Sequence, residues 1–246
     1  MPIVTLAQRP DLAKVLERPE LNPGPELMFH DTVAGRYWGR LAEEFGDHQL
    51  ALVRGEEVIA RANSVPLAWR GSPDELPDAG FAWALEQAFA DRDAGREPTI
   101  ACALYIAVST RHQGAGVSAV MAQALRDTAT RHGLTALAAP LRPTLKHRYP
   151  LIPMAEYATW TRETDGLALD PWLRTHQRLG ARLLHPCERS MRVEGTVAEW
   201  RRWAAMDFPG SGRHVVDGAL APVTIDLAAD HGVYDEPNLW AWHPLT

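Results

Sequence analysis

Leu104-Tyr105-Ile106-Ala107-Val108-Ser109-Thr110-Arg111-His112-Gln113-Gly114-Ala115-Gly116 is the stretch on which the fold turns. Its first half closes Thr99–Ser109, an unbroken run of small and branched apolar residues. Such runs form central strands buried on both faces. After Gly116, residues Val117, Val120, Met121, Ala124, Leu125 and Thr128 recur at helical spacing. Arg131 and His132 suit the negative end of that helix, and Gly133 suits a left-handed cap. Leu134–Leu141 then reads as another strand. Strand, loop, helix and strand in this order give a right-handed crossover between parallel strands. The loop between them opens a helix, so its amides lack intrahelical acceptors and carry the positive end of the helix dipole. Amides in that position bind phosphate oxygens.

Toward the N-terminus, Gln49–Val53 and Val58–Pro66 read as strands joined by Arg54-Gly55-Glu56-Glu57, a hairpin that makes the sheet mixed. Asp31 is placed to cap a helix running to about Phe45, and Phe81–Ala94 reads as a helix stopped by Gly95. Beyond the crossover, Pro143–Leu169 breaks the pattern with prolines and aromatics, as functional insertions do. Asp170-Pro171 starts a helix that Gly180 ends. Ala181–Leu184 and Ser190–Glu194 are expected as strands, and Thr196 as the cap of a short helix holding Trp200 and Trp203. Short strands and turns are expected in the tail, at 215–216, 220–225 and 239–242. The expectation is one mixed α/β domain. It has an N-terminal arm at 1–30, a core at 31–195 with an insertion at 143–169, and an extension at 196–246 packed on the core.

The chain has 246 residues, 46% of them hydrophobic, and a formal charge of −6. That charge argues against a nucleic-acid partner, which needs a basic field. Two cysteines are too few for a disulfide framework and fit a reducing compartment. Residues Met1 to Pro10 lack the basic and apolar segments of a secretory leader, and no apolar run approaches the ~20 residues that cross a bilayer. A cytoplasmic location is expected. The ten histidines have no metal-ligand spacing, so no metal is expected. Most of the nine tryptophans are expected in the core, with the rest available for an acceptor pocket or a homodimer contact.

Gly114-x-Gly116-x-x-Ala119 also matches the dinucleotide fingerprint. That motif places its glycines directly after the strand and an acid at the end of the next one. Here Ser109–Gln113 intervene, and the next strand ends at Pro140-Leu141-Arg142. No Gly-Lys-Ser/Thr follows, which excludes a P-loop. Arg111-x-x-Gly114-x-Gly116 between a buried strand and a helix instead resembles the coenzyme A motif of the GNAT N-acyltransferase superfamily, Arg/Gln-x-x-Gly-x-Gly/Ala. The likeness in element order spans about residues 30–195. It implies an acyl-CoA, such as acetyl-CoA, as co-substrate. The pyrophosphate would lie on Arg111, His112, Gln113, Gly114, Ala115, Gly116 and Ser118. The backbone of Ile106, Ala107 and Val108 would align the pantetheine arm and polarise the thioester carbonyl.

The resemblance also implies a general acid where the family often has Tyr-x-x-x-Gly-Phe. The matching text here is His176-Gln177-Arg178-Leu179-Gly180-Ala181, so His176 takes the tyrosine's place. No acid lies between Ile100 and Thr110, which leaves the base to be found elsewhere; Glu156, Tyr157 and Asp165 are candidates, and Tyr149 in the insertion is a further catalytic candidate. Arg142-Pro143-Thr144-Leu145-Lys146-His147-Arg148 is the densest basic run and could meet the cofactor's phosphates or an acidic partner. The expected activity is acyl transfer from coenzyme A to a primary amine of a small molecule. Two alternatives stay open: a carrier-protein or aminoacyl-tRNA donor, and a non-catalytic acyl-CoA-binding protein.

Overall fold

The computed structural model describes residues 1–245. Nine strands form one sheet in the order β1-β2-β3-β4-β5-β9-β8-β7, with β6 paired to the other edge of β9. The hairpin is β2 (Gln49–Arg54) and β3 (Glu57–Leu67), turning at Gly55, whose φ is +63°. β4 (Ile100–Val108) continues antiparallel to β3. Helix α5 (Val117–Arg131) then crosses to β5 (Ala136–Leu141), which is parallel to β4. The mixed α/β architecture is therefore the expected one.

Two helical layers cover the sheet. On one face α4 (Gly80–Asp93) packs Phe81, Leu85 and Phe89 onto Val65, Leu67, Cys102, Ala138 and Trp240. On the other, α5 packs Met121 and Leu125 onto Leu50, Leu52, Ala101, Ala103 and Leu137. Each fully buried large apolar side chain contributes roughly 1.5–3 kcal/mol. The insertion lies on the α5 face. It carries a 3₁₀ turn at Lys146–Arg148 and the short α6 (Met154–Tyr157), and leads into α7 (Pro171–Arg178). Asp170 joins these pieces by accepting from Leu145 N, Trp172 N, Leu173 N and Tyr157 Oη.

Four expectations change. The N-terminal 30 residues are not a free arm: β1 (Ile3–Thr5) is an edge strand on β2. Behind it, Leu6, Leu12, Leu16 (in α1, Ala13–Leu16) and Leu21 form a core of their own with Val53 and Val58. The single helix expected from Asp31 is broken into α2 (Thr32–Tyr37), a 3₁₀ turn at Trp38–Arg40 and α3 (Leu41–Glu44). Asp31 does cap it, accepting from Ala34 N at 2.7 Å. The two strands expected at 181–194 are one bulged strand, β6 (Arg182–Gly195).

The largest difference is in the tail. After α8 (Val197–Ala204), β7 (Gly212–His214) and β8 (Val223–Asp226), the chain returns as the 14-residue β9 (His231–Pro244). β9 runs between β5 and β6. A boundary at 195 therefore cuts through the sheet, since the last strand completes its middle.

Candidate active site

β4 and β5 are paired at only two positions, Ala101 with Leu137 and Cys102 with Ala138. Beyond these the strands part. From Ala103 to Val108, β4 keeps its ladder to β3 and presents an unpaired edge toward β5. On the other side, Ala139, Pro140 and Leu141 pair with β9 and not with β4. Backbone groups left without partners away from water cost about 1–3 kcal/mol each, so such an opening suits a ligand that bonds to strand edges. A bulge marks the point of parting. Ser64 opposes Ala103 and Asn63 opposes Tyr105, which leaves Leu104 as the extra residue. Bulges of this kind re-aim strands beside active sites. Leu104, Tyr105 and Ile106 are accordingly half-buried, whereas Ile100 to Ala103 are buried.

The glycine loop lies at the far end of the open edge. Thr110–His112 makes one 3₁₀ turn closed by His112 N to Ser109 O at 2.8 Å, and the Gln113 side chain donates to Val108 O at 3.1 Å. Gly114 and Gly116 sit at φ +80° and +75°, where L side chains are strained. A Cβ on either would have nothing within 4 Å, so the space above both is open. Gly116 is the N-cap of α5, with no side chain capping it. Among the described residues, the amides of Gln113, Gly114, Ala115, Gly116, Val117 and Ser118 meet no acceptor. Two buried side-chain atoms nearby, Ser109 Oγ and His112 Nδ1, are likewise unpartnered. Six free amides, the positive end of a 15-residue helix and open space make a cradle whose geometry could receive an anion.

Of the sequence-derived residues, the structure brings together Ile106, Ala107, Val108, Arg111, His112, Gln113, Gly114, Ala115, Gly116 and Ser118 along this edge and loop. It does not bring His176 there. His176 is 1% exposed, and its Nδ1 lies 2.8 Å from Nε2 of His243. His243 pairs with Leu137, in the closed part of the β4–β5 pair. At ~3.3 Å per residue, that is about 7 Å from where the opening starts at Ala103 and about 17 Å from Ile106. Burial, reinforced by His243, lowers the His176 pKa to about 3, and burial with Arg126 lowers His243 to about 4. A neutral, sealed imidazole at the closed end does not hold the proton that a general acid needs. The correction has a simple cause: Leu173 and His176, one helical turn apart, share the buried face of α7.

Tyr149 and Glu156 lie on the insertion rather than on the open edge. The Tyr149 ring, 40% exposed, packs edge-on against Trp160 at 4.9 Å, and Glu156 is exposed on α6. The basic run divides. Lys146 is buried, donating to Tyr149 O at 2.8 Å and Leu220 O at 2.6 Å, and burial lowers its pKa to about 8. Cys187 and Cys102 are buried in the core, with the Cys187 thiol pushed up to about 12 by burial, which leaves it no nucleophilic character. Among the described residues, no group of three His, Cys, Asp or Glu could hold a metal ion, and no helix is long and apolar enough to cross a membrane.

Two groups at the opening escaped the sequence reading. Tyr105 stands on the parted half of β4, against Trp38 (5.9 Å, edge-on) and beneath the Arg61 guanidinium (5.6 Å). Burial raises its phenol pKa, opposed by the charges of Arg61 and Arg142, and among the described residues its hydroxyl makes no hydrogen bond. Across the gap, Arg142 follows the end of β5 and is held by Glu236 of β9 at 3.1 Å. Tyr105 lies in an apolar run, where a phenol carries no local signal that sets it apart from a core residue. Glu236 carried no local signal, because its role depends on where β9 pairs.

No family model matches the chain. It is 30% identical to the arginine N-acetyltransferase avaD of Aspergillus versicolor, over 98% of this chain and 93% of that protein. Among solved structures, the loading GNATL domain of CurA from Lyngbya majuscula superposes with a TM-score of 0.54 at 13% identity, over 89% of this chain and 92% of that one. The GphF GNAT-like decarboxylase in complex with isobutyryl-CoA gives 0.55 at 13% identity, over the whole of both chains.

Proposed function

We propose, from the premise that this chain belongs to the GNAT superfamily and is an N-acetyltransferase, that it moves an acetyl group from acetyl-CoA to a primary amine of a small molecule. The observation that carries this reading is the parting of β4 from β5 after two pairs, with six unpaired amides at the end of the opening. The relative's name supplies the first acceptor to try, arginine.

In this reading the amides of Gln113 to Ser118 and the α5 dipole receive the diphosphate, with Arg111 and His112 at its flank. The free edge of β4 at Ile106, Ala107 and Val108 bonds the pantetheine amides as a neighbouring strand would. Donors preorganised in that edge polarise the thioester carbonyl. The amine attacks the carbonyl carbon, so that a C–N bond forms and the C–S bond breaks. One proton leaves the nitrogen and one reaches the departing sulfur. Tyr105, whose raised pKa keeps it protonated at neutral pH and whose hydroxyl makes no hydrogen bond among the described residues, is the proton donor assigned to that sulfur. Direct attack needs no protein nucleophile, which agrees with the burial of both cysteines.

The test is thiol release from acetyl-CoA across a panel of amines, amino acids and aminoglycosides. Amine-dependent release with a matched N-acetyl product supports the reading. Tight acetyl-CoA binding with no turnover of any amine would reduce the protein to a binding module.

A further inference from the structure

The chain beyond β5 enters a specific place. Along one edge β9 pairs with β5 from Leu239 to Pro244 and with β8 from His231 to Val233, leaving an interval between them. Arg142 fills that interval at the mouth of the β4–β5 opening. Its Nε donates to both oxygens of Glu236 at 3.1 Å, and its Nη2 donates to Gly218 O at 2.5 Å. Glu236, 1% exposed, also accepts from Tyr234 Oη at 3.1 Å and Asn238 Nδ2 at 3.3 Å. Tyr234 is fixed in turn by Leu220 N, which donates to its hydroxyl at 2.8 Å. A buried ion pair of this kind adds little stability beyond what apolar residues would supply. What it does is hold one guanidinium in one plane.

That guanidinium is not used up. Of its five N–H groups the protein takes two, and its side chain remains 25% exposed. The other three have no acceptor among the described residues. Arg142 directly follows the last residue of β5, the strand that parts from β4, and its charge acts on the Tyr105 phenol. The diphosphate cradle lies on the β4 side, at the start of α5. Lys146, the neighbouring cation, is spent on two carbonyl oxygens. A planar fork with free donors fits a carboxylate or a phosphate bidentately, and the cofactor's diphosphate is already assigned to the start of α5, which leaves a carboxylate of the acceptor.

We infer that Arg142 receives a carboxylate of the acceptor, which makes the acceptor class an amino acid, or another amine with a carboxylate close to its nitrogen. This rests on the acetyl-transfer reading and narrows it. Glu236 is the positioning residue and does not touch the substrate.

The experiment compares matched acceptors with the full chain and acetyl-CoA: L-arginine against L-argininamide, and L-lysine against L-lysinamide. Wild type should prefer each acid over its amide by roughly ten- to a hundredfold in kcat/KM, the range of a charge-assisted contact. Arg142→Gln should raise the KM for the acid by a similar factor, erase the preference, and leave the KM for acetyl-CoA within about twofold. Arg142→Lys keeps the charge beside Glu236 and should fall between the two. Equal use of acid and amide by wild type overturns the inference, and that comparison needs no variant to fold. A rise in the acetyl-CoA KM instead would assign Arg142 to the cofactor and also overturn it. No turnover of any amine would fell the acetyl-transfer reading itself, and the inference with it.

Discussion

At the Ala101–Cys102 end, β4 is laddered to β5, and His176 and His243 share one hydrogen bond there while each keeps one buried ring nitrogen unpartnered. His176 and His243 meet there as two neutral rings, sealed by Trp172 and the α5 layer. At the Ala107–Val108 end the same two strands have separated, and polar groups are left over: six amides, the Tyr105 hydroxyl, Ser109 Oγ, His112 Nδ1 and part of Arg142. One strand pair thus has a laddered end and a parted end, and the difference lies in the backbone. Protein interiors seldom leave backbone groups unpaired, so the run of unpaired amides at the parted end suits a ligand. The contrast also teaches why a perturbed histidine can mislead. His176 is the more strongly shifted group, yet its shift comes from being closed away.

The sharpest way to break this contrast is to fill the parted end. Gly114→Trp puts bulk and a strained backbone where φ is +80° and space is open. With two or more charge-assisted contacts displaced, the KM for acetyl-CoA should rise about a hundredfold or more in steady-state assays. Tyr105→Phe removes one proton donor and leaves the cradle intact. It should lower kcat by roughly a hundredfold with little change in the KM for acetyl-CoA.

The laddered end makes a prediction of the opposite kind. His176→Phe should leave kcat and its pH profile unchanged and alter only stability. Both imidazoles have folded-state pKa values below the ~6.5 of an unfolded histidine. Between about pH 6.5 and 4 the unfolded chain therefore binds more protons, and stability falls as pH falls. The slope is up to about 1.4 kcal/mol per pH unit per site, and above pH 7 the pair contributes no slope. Urea midpoints at pH 7 and pH 5 should differ more in wild type than in His176→Phe. The smallest effect is expected on the insertion: Glu156→Gln should change kcat/KM by less than about twofold.

How far the sequence carried this account depends on the reach of each contact. The hairpin, the Thr99–Ser109 strand, the glycine turn and the following helix were legible because periodicity and turn chemistry within about 30 residues determine them. The cradle was legible for the same reason. The break after Tyr37 was not. Helical spacing continues through Trp38 and Leu41, and what turns the chain is packing of Trp38 against Phe81 and Tyr105, far along the sequence. The place of β9 was illegible because strand order is set by long-range pairing. Pro237 within it also weakens any local strand signal. With β9 unplaced, Glu236 could not be set beside Arg142, nor His243 beside His176. Spacing aligned His176 with a catalytic tyrosine of the family, but spacing does not say which face of α7 is buried.

Hydrogen exchange of the backbone amides with and without coenzyme A bears most directly on the contrast between the two ends. Saturating coenzyme A should slow exchange across Gln113–Ser118 and along Ala103–Val108, and leave α7 and the Leu239–Pro244 segment of β9 unchanged. Protection that falls on α7 and β9 instead, or no protection of the loop at saturation, would contradict the assignment of the open end as the coenzyme's seat.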